Sequence, residues 1–159
     1  MITPVFFRFG IVLAAVLVRC GLVTAEVSAA DWPAWRGPLG TGISSEKALL
    51  LGWDTTQAVR WRTPLPEAGN STPIVSRGRI FLTQSEGSRR TLLCFDRKDG
   101  RLLWKSGIAV EFKERTHKTN PYASASPVTD GERIIVWFGS GGLAAYDFDG
   151  KELWRTDLG

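Results

Sequence analysis

Ser71-Thr72-Pro73-Ile74-Val75, Arg79-Ile80-Phe81-Leu82-Thr83, Leu92-Leu93-Cys94-Phe95-Asp96 and Asp99-Gly100-Arg101-Leu102-Leu103-Trp104-Lys105 are four short runs in succession. Further along the chain the same register returns: Ala125-Ser126-Pro127-Val128, Arg133-Ile134-Ile135-Val136-Trp137, Leu143-Ala144-Ala145-Tyr146-Asp147 and Asp149-Gly150-Lys151-Glu152-Leu153-Trp154-Arg155. Pro73 aligns with Pro127, Asp96 with Asp147, Gly100 with Gly150 and Trp104 with Trp154. Runs this short, rich in β-branched and aromatic residues and separated by Gly, Asp or Ser, predict strands rather than helices. The Asp-Gly pairs mark tight turns, because glycine supplies the positive φ such turns need. Each copy is therefore expected to be a four-stranded antiparallel sheet, and internal repetition at this period is the mark of a repeat architecture.

One such sheet cannot cover both its faces. Packing the sheets radially does so, which predicts an all-β partial β-propeller of four-stranded antiparallel blades. The chain holds two complete blades, and a full ring is expected to have about 7 or 8. The recurrent Trp on the last strand is expected to cover the neighbouring blade and to offer its N–H to a backbone acceptor. Trp61, in Val59-Arg60-Trp61-Arg62-Thr63, belongs to the same series but follows nothing like the first three strands of a blade. It reads as an orphan N-terminal outer strand that closes the ring on the last blade. The run of blades stops after the fourth strand of the second copy. That reads as a piece of a longer chain, with assembly from several chains as the alternative.

The first residues read differently. Arg8, the apolar run Phe9–Val18 and the small-residue stretch Val27-Ser28-Ala29-Ala30 have the pattern of a cleaved secretory signal. An uncleaved anchor and a lipoprotein lipidated at Cys20 are alternatives, although Arg19 stands where a lipoprotein wants a small residue. No stable membrane span is expected after cleavage. The expected location is periplasmic or extracellular. The resulting plan is a signal peptide (1–30), an N-terminal extension (31–56), the orphan strand (57–63), a blade (71–105), an insertion loop (106–123) and a second blade (124–156). Loss of Cys20 leaves Cys94 alone, so no disulfide framework is possible, and Cys94 reads as a small buried hydrophobe. The net charge of +4 comes from scattered cations interleaved with carboxylates, not the concentrated basic face of a nucleic-acid binder.

The repeat, with its Asp…Gly-[Lys/Arg]-x-Leu-Trp signature, resembles the quinoprotein (pyrroloquinoline quinone, PQQ)-like β-propeller repeat family. Asp31-Trp32-Pro33-Ala34-Trp35-Arg36-Gly37-Pro38 followed by Gly40-Thr41-Gly42 is similar to the opening of its secreted members. So are Thr116–Ser124 leading into Ser126–Gly131, and Phe138-Gly139-Ser140. The resemblance covers roughly residues 31–159. It implies one of three functions: a non-catalytic scaffold or a protein- or ligand-binding module; a PQQ- and Ca²⁺-dependent alcohol dehydrogenase with its cofactor site in other blades; or a recognition domain fused to an enzyme. The dehydrogenases often carry adjacent cysteines near the quinone, and this chain has none.

Catalytic and metal-ligating constellations do not emerge from the residues. Asp96, Asp99, Asp147 and Asp149 recur in equivalent turns, and a unique catalytic site should not recur in every blade. No cofactor is expected in this segment. Gly139-Ser140-Gly141-Gly142 lies between strands with no following helix, so it reads as a turn and not as a phosphate cradle. Ser71, Ser124 and Ser126 lack the context of a catalytic nucleophile, and Asn70-Ser71-Thr72 is a glycosylation sequon of consequence only in a eukaryotic secretory host. The best binding candidate is the non-repeated insertion, with His117, Lys118, Asn120 and Tyr122 beside Glu111, Lys113, Glu114 and Arg115. Long loops between blades lie on a face of the ring, where a protein or small-molecule ligand docks. The plainer reading of His117 is a surface residue in a hydrogen-bonded turn beside Asn120. The expected partners are other blades and such a ligand, with no nucleic acid.

Overall fold

The computed structural model describes residues 31–47, 50–52, 54–111, 115–122 and 124–158. The signal segment with Cys20, and Lys113 and Glu114 of the insertion, lie outside the described residues. Among the described residues eight strands form two four-stranded antiparallel sheets, each in sequential order. The first holds β1 (Ile74–Ser76), β2 (Arg79–Glu86), β3 (Arg89–Asp96) and β4 (Leu102–Ala109). The second holds β5 (Val128–Thr129), β6 (Arg133–Trp137), β7 (Leu143–Asp147) and β8 (Glu152–Thr156), with a short 3-10 turn, Gly139–Gly141, between β6 and β7. Among the described residues there is no helix long and apolar enough to cross a membrane.

The turns show why these runs pair in sequence. Arg77 and Gly78, with φ of 51° and 74°, form the two-residue turn joining β1 to β2; paired positive φ values match the twist of the flanking strands. In the β3–β4 turn, Asp96 Oδ1 accepts from the Lys98 N–H at 2.7 Å while Gly100 takes φ 73°. In the β7–β8 turn, Asp147 Oδ1 accepts from the N–H groups of Asp149 and Lys151, both at 2.9 Å, and Gly150 takes φ 85°. The repeated aspartates are thus occupied in holding turns.

Successive residues of a strand face opposite sides of its sheet, and β2 and β3, buried along most of their length, are covered on both faces. Ile74, Phe81, Leu92, Cys94, Ile108 and Val110 of the first sheet meet Ile134, Val136, Phe138, Ala144 and Tyr146 of the second in one core between the sheets. The opposite face of the first sheet gathers Leu82, Leu93, Phe95 and Ile80. Cys94 is fully buried opposite Phe81 on β2. Burial pushes its thiol up to about 12. Very little thiolate exists at pH 8, so iodoacetamide should label the native protein about a thousandfold more slowly than the urea-unfolded chain. Equal labelling rates would contradict this placement.

One boundary departs from the sequence reading. β4 runs on to Ala109, into the segment read as insertion, because Ser106–Ala109 pairs with Arg89–Leu92. Gly107 makes this approach possible, since a Cβ there would lie 2.1 Å from the Arg90 carbonyl oxygen. Residues 57–63, expected as an outer strand, join neither sheet. A strand exists only through its ladder, and no described strand lies alongside this segment; side chains dock it instead.

Candidate functional site

Two surfaces carry the chemistry. The first is where one sheet leans on the next. Trp104 of β4 donates its indole N–H to the Phe148 carbonyl at 2.8 Å, and two residues on, the Ser106 hydroxyl donates to the Gly150 carbonyl. Gly150 lies under the indole, so that a Cβ there would be 2.7 Å from the ring. The same arrangement recurs one sheet earlier. Trp61 donates to the Arg97 carbonyl at 3.0 Å, Thr63 donates to the Gly100 carbonyl at 2.6 Å, and Gly100 lies against the Trp61 ring. Residues 61–63 thus meet the first sheet as residues 104–106 of β4 meet the second. A third pair, Trp154 and Thr156 on β8, follows the same spacing, but Trp154 is 42% exposed. The hydroxyl two residues after each Trp escaped sequence reasoning. Its signal was present in Trp61-Arg62-Thr63, Trp104-Lys105-Ser106 and Trp154-Arg155-Thr156.

The second surface is the insertion. It leaves β4 at the end of the sheet opposite the Asp-Gly turns, and several bonds hold it and the start of the second blade. The Asn70 amide donates to the Thr119 carbonyl at 2.8 Å, the Thr83 hydroxyl to the Ala125 carbonyl at 2.7 Å, and the Ser126 hydroxyl accepts from the Thr72 N–H at 2.8 Å. Arg90, 3% exposed, lays its guanidinium 3.9 Å from the centre of the Tyr122 ring. A buried cation over an aromatic face is a strong anchor, worth about 2 kcal/mol where desolvated. Tyr122 therefore fastens the loop as well as lining it.

Within the loop, the Asn120 N–H donates to the His117 carbonyl at 2.8 Å, closing a tight turn. His117 Nδ1 lies 2.8 Å from the Thr119 hydroxyl and accepts from the Thr119 N–H at 3.3 Å. With Nδ1 accepting, the neutral ring carries its proton on Nε2. His117, Asn120 and Tyr122 line a cleft of about 600 Å³ with Arg115, Trp137 and Ser140. Lys118 does not line it. Arg115 was a neighbour of the chosen residues in the sequence, whereas Trp137 and Ser140 come from the β6 end and the turn after it, which sequence spacing alone could not place beside the loop. Trp137 is 55% exposed.

The described lining combines two aromatic rings, Tyr122 and Trp137, with a guanidinium, an imidazole and amide and hydroxyl groups, and no carboxylate is among those described residues. Such a wall can hold an acceptor-rich or anionic group against a ring. Among the described residues no grouping of three or more His, Cys, Asp or Glu can hold a metal ion. A quinone held with Ca²⁺ calls for carboxylate and amide oxygens as ligands to a hard cation. The described residues do not fit that group.

Comparison with known families bears on the same chain. A PQQ-type repeat model described as outer membrane protein assembly factor BamB matches residues 39–159, which include both sheets and the cleft. A search of curated proteins finds no match.

Proposed function

The chain belongs to the propeller-repeat family described as outer membrane protein assembly factor BamB, and from that premise we propose that it is an exported, non-catalytic binding module whose working surface is the insertion with its cleft. The observation that carries this reading is the contrast between rigid support and open wall. The loop is tied to the first sheet through Arg90 and to the segment before β1 through Asn70, while Trp137 remains more than half exposed beside Arg115 and His117. Large aromatic and Arg side chains in a fixed concave setting are the residues that dominate binding energy at interfaces. The cationic and donor groups favour an acidic or acceptor-rich segment of a protein partner. Export rests on the amino-terminal signal pattern and on the assembly role in the family description.

A photo-crosslinking amino acid at position 137 of the intact protein tests this in its own cells. It should trap a discrete partner, and Arg115→Glu should lower the yield at least tenfold without changing thermal unfolding. The same crosslinker at Asp99, in the turn at the opposite end of the sheet, should trap none. Equal yields from both positions would overturn the reading. Dye-linked alcohol oxidation by the intact protein supplied with the quinone and Ca²⁺ would replace it with the dehydrogenase reading.

A further inference from the structure

The opening segment Asp31–Gly37 was read from its likeness to secreted relatives and has no part in the cleft. Its contacts run to both sheets. Trp32 exchanges two main-chain hydrogen bonds with Val75 of β1, at 2.7 and 2.9 Å, and the next residue, Pro33, accepts from the Thr129 N–H of β5 at 2.9 Å. β1 and β5 are the edge strands of their sheets. Two consecutive residues therefore join the free edges of both, which shows that these edges converge. Edge strands carry unpaired backbone groups, and this segment supplies partners for some of them on each sheet.

Asp31 adds a second connection. Asp31 as a residue is 8% exposed, and its carboxylate accepts from the Ser76 hydroxyl at 3.2 Å and from the Arg77 N–H at 3.2 Å. Arg77 holds φ 51°, a conformation unfavourable for a side chain larger than glycine. In that conformation its guanidinium lies 4.9 Å from the centre of the Phe148 ring, in the β7–β8 turn, and donates to the Gly131 carbonyl, in the β5–β6 turn, at 3.1 Å. Trp32 is seated in turn on Gly37, where a Cβ would lie 2.8 Å from the indole.

We propose that Asp31, Trp32 and Pro33 form an inter-sheet clamp that fixes the angle between the two sheets from their first strands. Trp32 and Pro33 join the strand edges through the main chain. Asp31 is a positioning residue, holding the β1–β2 turn so that Arg77 spans the gap. Trp104 pins the sheets at the β7–β8 turn, and with two separate attachments neither joint can act as a hinge. This proposal does not depend on what the cleft binds.

Amide hydrogen exchange in the intact protein, read residue by residue, tests the clamp. Asp31→Ala should raise exchange at Val75, Arg77 and Thr129 at least tenfold while leaving Leu93, within the β2–β3–β4 ladder, within twofold. Asp31→Asn keeps an acceptor oxygen and should retain most of the protection; Arg77→Met carries the test if the alanine variant does not fold. Arg77→Met should raise Thr129 exchange at least threefold with little change at Val75. Thr129 remaining fully protected in all three variants, or Asp31→Ala affecting Arg77 alone, would reduce Asp31 to a local turn cap and overturn the clamp.

Discussion

Trp104→Ala should lower unfolding stability by about 3–5 kcal/mol, measured by urea denaturation of the intact protein. The ring is the main wedge between the sheets at the β7–β8 turn. Its centroid lies 5.9 Å from that of Phe81, and Phe81 meets Phe148 edge-on at 5.3 Å. Removing the indole empties a space bounded by these rings and by the Gly150 backbone, which cannot move inward without breaking the turn that Asp147 holds. The lost hydrogen bond is the smaller part, because Arg79 also donates to the Phe148 carbonyl and leaves it satisfied. Cavity and lost burial therefore dominate. A loss below about 1 kcal/mol would mean that the ring does not hold the sheets together.

Gly150→Ala attacks the same contact from the other side and should cost about 2–4 kcal/mol. Its φ of 85° strains any side chain by about 1 kcal/mol, and the new methyl would sit 2.7 Å from the Trp104 ring. The ring cannot simply step back, because its N–H is bonded to Phe148. Gly87→Ala separates the two contributions. Gly87 also has positive φ, 59°, but a Cβ there meets nothing within 4 Å. It should show the conformational cost alone, about 1 kcal/mol, and the excess at Gly150 then measures the crowding against Trp104.

The strands and the Asp-Gly turns were legible because each rests on short-range chemistry: alternation, β-branching, and glycine where φ must be positive. The family match and the paired sheets support the propeller-repeat reading of those residues. What escaped depends on residues far apart in the chain. The Ser106 hydroxyl meets Gly150 only once two sheets are packed, and Arg90 finds Tyr122 only because both point into the space between the first sheet and the insertion. The segment 57–63 has the composition of a strand, yet strand formation depends on a neighbour that composition does not supply. In the insertion, His117, Asn120 and Tyr122 share one wall while Lys118 does not line it. Adjacent residues of a tight turn point apart, a distinction that proximity in sequence hides. Asp31 is legible in the sequence only as part of a resemblance, because nothing near it announces the Arg77 turn it holds.

The central claim is that the outer-strand indole and the glycine of the neighbouring turn act as one joint. A double-mutant cycle on Trp104→Ala and Gly150→Ala in urea tests it most directly. With the ring gone, the methyl at position 150 has nothing to strike, so the account predicts that the double variant loses at least about 1 kcal/mol less than the sum of the single losses. Additivity within about 0.3 kcal/mol would show that the two residues act independently and would contradict it.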